Sequence, residues 1–322
     1  MTTLLPTRPA HLLERRPAAD HWLIEGLWAD QAVGIVGGEP KCCKSFLALD
    51  IALSVASGAP CLRRFPTAHS GRVLFYAAED ALHVVRQRLH GIALAAGVEF
   101  TALDIHVITA PSLRLDLSAD QDRLRATVEA LRPILLVLDP LVRLHRIDEN
   151  AAAEVAPVLA FLRDLQRHVG TAVLLVHHAR KGAAHLRAGQ ALRGSSELHA
   201  WGDSNLYLRR QASTLRLTIE HRAAPGRDGL VLELRASGDA LALHLVDSDA
   251  RIDHRDRMVL ITPPAPLEHI EQVLATLSTP ITRRELRRAC RVRDTSLGAA
   301  LGQLVTTGRV VRSAAGYQLA PP

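Results

Sequence analysis

Two of the three lysines of this chain lie in one short loop, where an ammonium group could do phosphate chemistry. Lys41 and Lys44 fall within residues 37–45, Gly-Gly-Glu-Pro-Lys-Cys-Cys-Lys-Ser, although arginine supplies nearly all of the 39 basic residues. A lysine ammonium is a compact point charge on a flexible stem, so it enters a tight phosphate cradle more easily than a planar guanidinium does. The segment is therefore predicted to be a nucleotide phosphate-binding loop.

The loop follows the pattern G-x-x-x-x-G-K-[ST] with one departure. Gly38 takes the first position, Lys44 and Ser45 close the pattern, and Cys43 stands where the consensus has glycine. We expect Lys44 to reach the β- and γ-phosphates of ATP and Ser45 to hold Mg²⁺, with backbone N–H groups around the phosphates. A lysine–serine helix start without a ligand is the alternative interpretation. The predicted nucleotide-binding residues are Gly38, Glu39, Pro40, Lys41, Cys42, Cys43, Lys44, Ser45 and Phe46.

Carboxylates at the ends of two apolar runs could complete a nucleotide-hydrolysing site. Asp139 ends the run that starts at Ile134, where a carboxylate is expected to accept hydrogen bonds from the ligands of Mg²⁺; a cap of the next turn is the alternative. Glu79 and Asp80 end the run that starts at Val73, and one of them could deprotonate the attacking water. We choose Glu79, because Asp80 is well placed to cap the following helix; caps at both positions are the alternative.

A third apolar run ends in His177 and His178. A neutral donor at a strand tip could sense the γ-phosphate, and His178 is the candidate. A metal-binding histidine pair is a poor alternative, because adjacent residues point to opposite sides of a strand.

Short apolar runs alternate with helical patterns from Trp22 to about Leu208, which predicts a mostly parallel sheet covered by helices on both faces. The predicted strands are 32–36, 72–76, 105–109, 134–138 and 172–177. The predicted helices are 45–57, 82–96, 119–131 and 151–168.

From Ser204 the pattern changes to antiparallel strands that extend the sheet, with Gly226–Gly229 as a hairpin turn. Their predicted ranges are 206–209, 214–220, 230–235 and 241–246. The predicted organisation is a loose arm (1–21), an α/β core that contains the phosphate loop (22–247), a linker (248–266) and a small winged-helix domain (267–322). In that last domain, Thr282 and Glu285 offer a helix N-cap.

Composition sets weaker limits. The net charge of +6 and the pI of about 9.6 are compatible with a nucleic-acid partner. The four cysteines, Cys42, Cys43, Cys61 and Cys290, have neither metal-binding nor disulfide-framework spacing, which favours a cytoplasmic location. We expect neither a signal peptide nor a membrane span.

Taken together, the motifs resemble those of the RepA-like branch of the RecA-type, AAA-family P-loop ATPases, which includes hexameric replicative helicases of plasmids. The resemblance covers roughly residues 22–210 and implies a RecA-like P-loop NTPase fold for the α/β core. The matching segments are the phosphate loop, Tyr-Ala-Ala-Glu-Asp at 76–80, Arg-Leu-His at 88–90, Leu-Asp-Pro-Leu-Val-Arg-Leu-His at 138–145 with Glu-Asn at 149–150, His-His-Ala-Arg-Lys-Gly at 177–182, and Arg-Gly-Ser-Ser at 193–196.

This resemblance implies Glu79 as the catalytic base, Asp139 as the Walker B carboxylate and Arg193 as an arginine finger that reaches the neighbouring subunit's nucleotide. It also implies a homo-oligomer, a hexameric ring, that acts on DNA as a helicase with ATP and Mg²⁺. It says nothing about the C-terminal domain, which lies outside the shared core.

Two basic segments are candidates for DNA contact. Loops after the histidine pair face the central channel in RecA-type rings, so Arg180, Lys181 and Arg187 are predicted to contact single-stranded DNA phosphates; a solvated loop is the alternative. The C-terminal domain has eight arginines against four acidic residues, which suits duplex DNA, although winged helices also bind proteins. Its candidate contacts are Arg283, Arg284, Arg287, Arg288 and Arg293.

The sequence thus favours an ATP-hydrolysing ring ATPase that acts on DNA. Two other functions stay open: a non-motor, ATP-gated DNA-binding regulator of a mobile element or defence system, and a non-catalytic DNA-binding protein whose nucleotide is structural.

Overall fold

The computed structural model describes residues 7–12, 21–179, 196–211, 214–238 and 240–246, and in the C-terminal part residues 270, 273–275, 280–282, 285–286, 301–313 and 316–320. The chain forms two compact units, Met1–Ala250 and Arg251–Pro322. Within the described residues, no helix is long and apolar enough to cross a membrane.

Strands and helices alternate through most of the first unit. Its strands are β1 (Trp22–Ile24), β2 (Trp28–Ala29), β3 (Val33–Gly38), β4 (Val73–Ala77), β5 (Ile105–Val107), β6 (Leu135–Asp139), β7 (Ala172–His178), β8 (Ser204–Gln211), β9 (Thr214–His221), β10 (Arg227–Ser237) and β11 (Ala240–Leu245). Its helices are α1 (Lys44–Ser57), α2 (Leu82–Ala96), α3 (Ser118–Leu131), α4 (Ala152–Val169) and α5 (Ser196–Trp201), with short 3₁₀ turns at Ala10–Leu12, Phe100–Ala102 and Leu141–Arg143.

Strands β3 to β11 form one nine-stranded sheet in the order β11-β10-β9-β8-β3-β7-β6-β4-β5. The strands from β8 to β5 in that order pair in parallel, whereas β9, β10 and β11 are antiparallel additions at one edge. The predicted parallel sheet with an antiparallel extension is therefore confirmed, with one correction. Strand β8 belongs to the parallel part, because it pairs in parallel with β3 before β9 reverses the direction.

Helices cover both faces of this sheet, as the sequence predicts. Helices α1 and α2 pack on one face, and α3, α4 and α5 contribute to the core on the other. Helix α1 is buried without interruption from Leu47 to Val55, which explains why its sequence is apolar on every side. Asp50 interrupts that apolar stretch, and its carboxylate pairs with Arg63 at 2.7 Å and accepts the Leu62 N–H at 2.8 Å.

The turn between β9 and β10 is not where the sequence predicts it. The chain turns at residues 222–226, and β10 already begins at Arg227. The pairing with β9 then shifts between Arg227 and Leu230, and Gly229 lies there with φ of +77°. The glycine signal therefore marks an irregularity inside the strand, where positive φ is easiest for glycine.

The second unit has its own apolar core, which includes Ile270, Leu286 and Leu304. Strands β12 (Val310–Ser313) and β13 (Gly316–Leu319) form an antiparallel hairpin. Thr282 and Glu285 make the reciprocal contacts of the predicted cap, at 3.1 and 3.4 Å. Large parts of the predicted helices fall outside the described residues, so the winged-helix assignment stays a prediction.

We expect Gly34→Ala to destabilise the first unit strongly, because an added Cβ would lie 1.7 Å from the carbonyl oxygen of Ser204 on β8. Overpacking typically lowers the free energy of unfolding by about 1–3 kcal/mol, and a contact this close should reach at least the upper end of that range. Ile35→Val, which only deletes a methyl group at the next position, should cost about 1 kcal/mol. Urea unfolding of the two variants tests this, and a Gly34→Ala protein no less stable than Ile35→Val would contradict it.

Candidate nucleotide-binding site

The phosphate loop connects the central strand β3 to helix α1. All six residues of β3 are buried, and Gly38 ends it where the loop begins. A Cβ on Gly38 would lie 2.4 Å from the carbonyl oxygen of Leu208 and 2.6 Å from the Sγ atom of Cys42. Only glycine fits there, which accounts for the first glycine of the consensus.

Two residues of the loop have left-handed backbone conformations. Lys41 has φ of +63° and Cys43 has φ of +65°, and Cys43 is also the N-cap residue of α1. A residue with a Cβ pays roughly 1–2 kcal/mol for this conformation, whereas glycine adopts it readily. The conformation therefore explains the glycine of the consensus, and Cys43 occupies its position under strain.

The side chain of Lys44 is buried beneath the loop. Its Nζ atom donates a hydrogen bond to the carbonyl oxygen of Glu39 at 2.8 Å and lies 3.9 Å from the Sγ atom of Cys42. Burial lowers the pKa of this ammonium, and the nearby carboxylates of Asp139 and Glu79 oppose that shift. Lys44 thus provides a desolvated positive charge facing the acidic side of the site.

Asp139 ends β6, and it lines the same cavity as Ser45 at the start of α1. Burial raises the pKa of Asp139 to about 6, the nearby Ser45 hydroxyl opposes this rise, and the negative charges of Asp80 and Glu79 add to it. A hydroxyl next to a carboxylate presents the hard oxygen atoms that Mg²⁺ prefers.

The two acidic residues after β4 have different cationic partners. Glu79 accepts a hydrogen bond from Nε of Arg143 at 2.7 Å, and both side chains are well exposed. Asp80 pairs with Arg88 of α2. The prediction that Asp80 caps α2 is wrong: the helix begins at Leu82, and Ala81 is its N-cap residue. A long arginine from the second turn of the helix reaches Asp80 instead, so capping gives no reason to prefer Glu79.

These groups surround a single cavity of about 260 Å³. It is lined by Lys41, Cys42, Cys43, Lys44, Ser45, Phe46, Glu79, Asp80, Arg88, Asp139, Pro140, Val176 and His178. Gly38, Glu39 and Pro40 belong to the same loop but lie outside the cavity wall.

The sequence did not assign Asp80, Arg88, Pro140 or Val176 to the site. Arg88 lies 5.1 Å from the centre of the Phe46 ring, so a guanidinium and an aromatic ring form part of the wall. Arg88 belongs to the matching Arg-Leu-His segment at 88–90, but nothing in the sequence predicts its contacts with Phe46 and Asp80.

The histidine pair divides between the cavity and the core, as strand alternation requires. His178 lines the cavity. His177 is fully buried, and its Nδ1 atom lies 3.8 Å from Oε1 of Glu149, which also lies 3.3 Å from Nε2 of His145.

Comparison with known protein families agrees with this geometry. The model of the AAA domain family matches residues 2–184, which is more than half of the chain. The chain belongs to the AAA domain family. It is therefore an ATPase of the P-loop type, and membership implies use of a nucleotide and usually of Mg²⁺. The predicted AAA-type ATPase identity is confirmed at this level, and the match extends into the arm at 1–21 that the sequence analysis set apart.

Several predicted site residues lie outside the described residues, so the structure does not place them. They are the arginine-finger candidate Arg193 and the DNA-contact candidates Arg180, Lys181, Arg187, Arg283, Arg284, Arg287, Arg288 and Arg293.

The raised pKa of Asp139 predicts how pH affects stability. Its carboxyl group binds a proton more tightly in the folded protein, so its contribution is greatest below pH 4 and is lost as pH rises through about 6. Asp139→Asn carries no such charge. In EDTA, the free energy of unfolding of the variant should therefore rise relative to that of the wild type by roughly 2–3 kcal/mol as the pH increases from 4 to 8. Denaturant unfolding at both pH values tests this, and a stability difference that does not change with pH would contradict it.

Proposed function

We propose that this cavity binds ATP with Mg²⁺ and hydrolyses the γ-phosphate bond, and that the chain works as a RepA-like ring ATPase on DNA. One observation carries the hydrolytic proposal. A buried ammonium (Lys44), a hydroxyl–carboxylate pair (Ser45 and Asp139) and an exposed carboxylate (Glu79) line the same small cavity at a phosphate loop.

The residues present suit a nucleotide and its metal ion. The loop backbone approaches β8 so closely at Gly38 that a Cβ would clash with the Leu208 carbonyl, which accounts for glycine at the first position of a phosphate-binding loop. The ammonium of Lys44 lines the cavity and donates to the Glu39 carbonyl, a contact that it could exchange for a phosphate oxygen. Ser45 and Asp139 supply oxygen atoms suited to Mg²⁺.

Each residue then has a distinct role. Lys44 neutralises charge on the transferred phosphoryl group, and Ser45 and Asp139 hold Mg²⁺, which when bound stabilises the same developing charge. Glu79 orients the attacking water and takes its proton, and Arg143 holds Glu79 by the 2.7 Å hydrogen bond. His178, at the cavity wall, donates toward the γ-phosphate.

The ring and the DNA substrate rest on the resemblance to RepA-like ATPases and on charge. Arg193 would complete the site from a neighbouring subunit. Arg180, Lys181 and Arg187 would contact single-stranded DNA, and the C-terminal unit would contact duplex DNA. Both contacts agree with the pI of about 9.6.

The deciding experiment measures ATP turnover with and without single-stranded DNA, together with strand displacement. DNA-stimulated turnover with displacement supports the RepA-like motor. Stimulation without displacement supports an ATP-gated regulator instead, and turnover equal to that of a Lys44→Ala control would contradict hydrolysis at this cavity.

Helix capping does not show which of the two acidic residues after β4 is the general base, so we compare a substitution at each of them. Glu79→Gln should keep ATP binding but lose about 10²- to 10⁴-fold in kcat, the range for removal of a general base. Asp80→Asn should change kcat far less, since the Asp80–Arg88 pair is less exposed than the Glu79–Arg143 pair and holds its carboxylate more firmly. Single-turnover hydrolysis measures both, and the reverse order of the two variants would assign the base to Asp80.

A subunit-mixing experiment tests the ring. Arg193→Ala and Glu79→Gln should each be nearly inactive, because a finger in trans stabilises transition-state charge at the next subunit's site. Mixing them should restore part of the turnover, since some interfaces combine an intact Glu79 with an intact Arg193. The matched control mixes Arg193→Ala with the double variant Glu79→Gln/Arg193→Ala, which leaves no intact interface. Equal turnover in the two mixtures would contradict a finger in trans.

A further inference from the structure

The phosphate loop has a second cationic contact, made by a residue that does not line the cavity. Arg210 lies near the end of β8, the strand that pairs in parallel with β3. Its Nη2 atom donates a hydrogen bond to the carbonyl oxygen of Lys41 at 2.9 Å and lies 3.9 Å from the Sγ atom of Cys43. Arg210 is not part of the cavity wall, so it contacts the loop without lining the site.

The two residues that Arg210 touches are the two strained residues of the loop. Lys41 and Cys43 both have φ near +65° without being glycine. Backbone of this kind persists only where surrounding contacts determine it. A charge-assisted hydrogen bond to the Lys41 carbonyl is such a contact, because it fixes the peptide group that leads into the Cys42–Cys43 turn.

Two cations therefore hold carbonyl groups of the loop. Lys44, which lines the cavity, binds the Glu39 carbonyl, and Arg210, which does not line it, binds the Lys41 carbonyl. In the proposed function Lys44 turns to phosphate, which ends its contact with the loop backbone. Arg210 does not have to move for that, so it can hold the loop in both states.

We propose that Arg210 is a positioning residue that keeps the phosphate loop in its nucleotide-accepting conformation, and that it does so because Cys43 replaces the glycine that would adopt this conformation unaided. The proposal rests on the proposed function of the cavity as the ATP site. Arg210 acts through the loop backbone and touches no reacting atom.

The first test compares two neighbouring arginines. Arg210→Ala should weaken binding of a fluorescent ATP analogue about 5- to 10-fold, the loss expected for one partly exposed hydrogen bond to a charged donor. Arg210→Lys should recover part of the affinity. Arg209→Ala is the matched control, because it removes the same charge one residue earlier, from a side chain that lines a separate groove with Arg216 and Arg227. Equal affinities of Arg210→Ala and the wild type would overturn the proposal.

The second test is a double-mutant cycle with Cys43→Gly. If Arg210 compensates for the missing glycine, its removal should matter less when the glycine is restored. The effect of Arg210→Ala on affinity should then fall to about twofold in the Cys43→Gly background, since residues in contact give non-additive effects. Independent effects of the two substitutions, with the full loss retained, would overturn the link to Cys43.

The third readout needs no nucleotide, so it separates this proposal from the proposed function. Amide hydrogen exchange of the segment 38–45 should be faster in Arg210→Ala than in Arg209→Ala or the wild type, because the loop opens more often. Unchanged exchange would overturn the positioning role. If Lys44→Ala binds ATP as well as the wild type, the ATP-site assignment fails instead, and the exchange data still decide whether Arg210 orders the loop.

Discussion

The parallel pairing of β3 with its neighbours is the constraint on which the site depends. Parallel strands place their carboxyl ends at one edge of a sheet, and the register fixes which residues meet there. Gly38 is opposite His178 across β3 and β7, and Ala77 is opposite Asp139 across β4 and β6. Glu79 follows β4 by two residues. Strand register alone therefore brings side chains that are a hundred residues or more apart in the sequence to one cavity.

Charge balance is the second requirement at that edge. Lys44 and Asp139 are both buried, and burial disfavours the charge on each of them. Each lies close enough to the other for their charges to compensate in part, but Glu79 and Asp80 add negative charge to the same side. Arg143 and Arg88 pair with those two carboxylates, so burial is the main reason that the pKa of Asp139 is raised. A divalent cation bound beside Asp139 would favour its charged form, which is consistent with the Mg²⁺ use expected of a P-loop ATPase.

Much of this architecture follows from the sequence, because alternating apolar runs and helical periodicity specify a covered parallel sheet. The strand-end positions of Asp139, Glu79 and His178 and the limits of α2 also follow from local pattern. The features that the local sequence pattern does not predict depend on tertiary contacts. The pairing of Asp80 with Arg88 depends on how a long side chain folds back over the start of a helix. The direction of β8 depends on its choice of β3 as partner, and the contact of Arg210 with Lys41 depends on that same choice.

The pairing of Glu79 with Arg143 sets a condition on any hydrolytic role for this carboxylate. The Nε atom of Arg143 donates a hydrogen bond to Oε1 of Glu79. A proton from water would then go to the other carboxylate oxygen. Because both side chains are well exposed, the pair is weak in energy and easily rearranged. Arg143 follows β6 directly, only four residues after Asp139. One short segment of chain therefore connects Asp139, the proposed Mg²⁺-site carboxylate, to the partner of Glu79, the proposed base, so a shift of the turn at Leu141–Arg143 would act next to both.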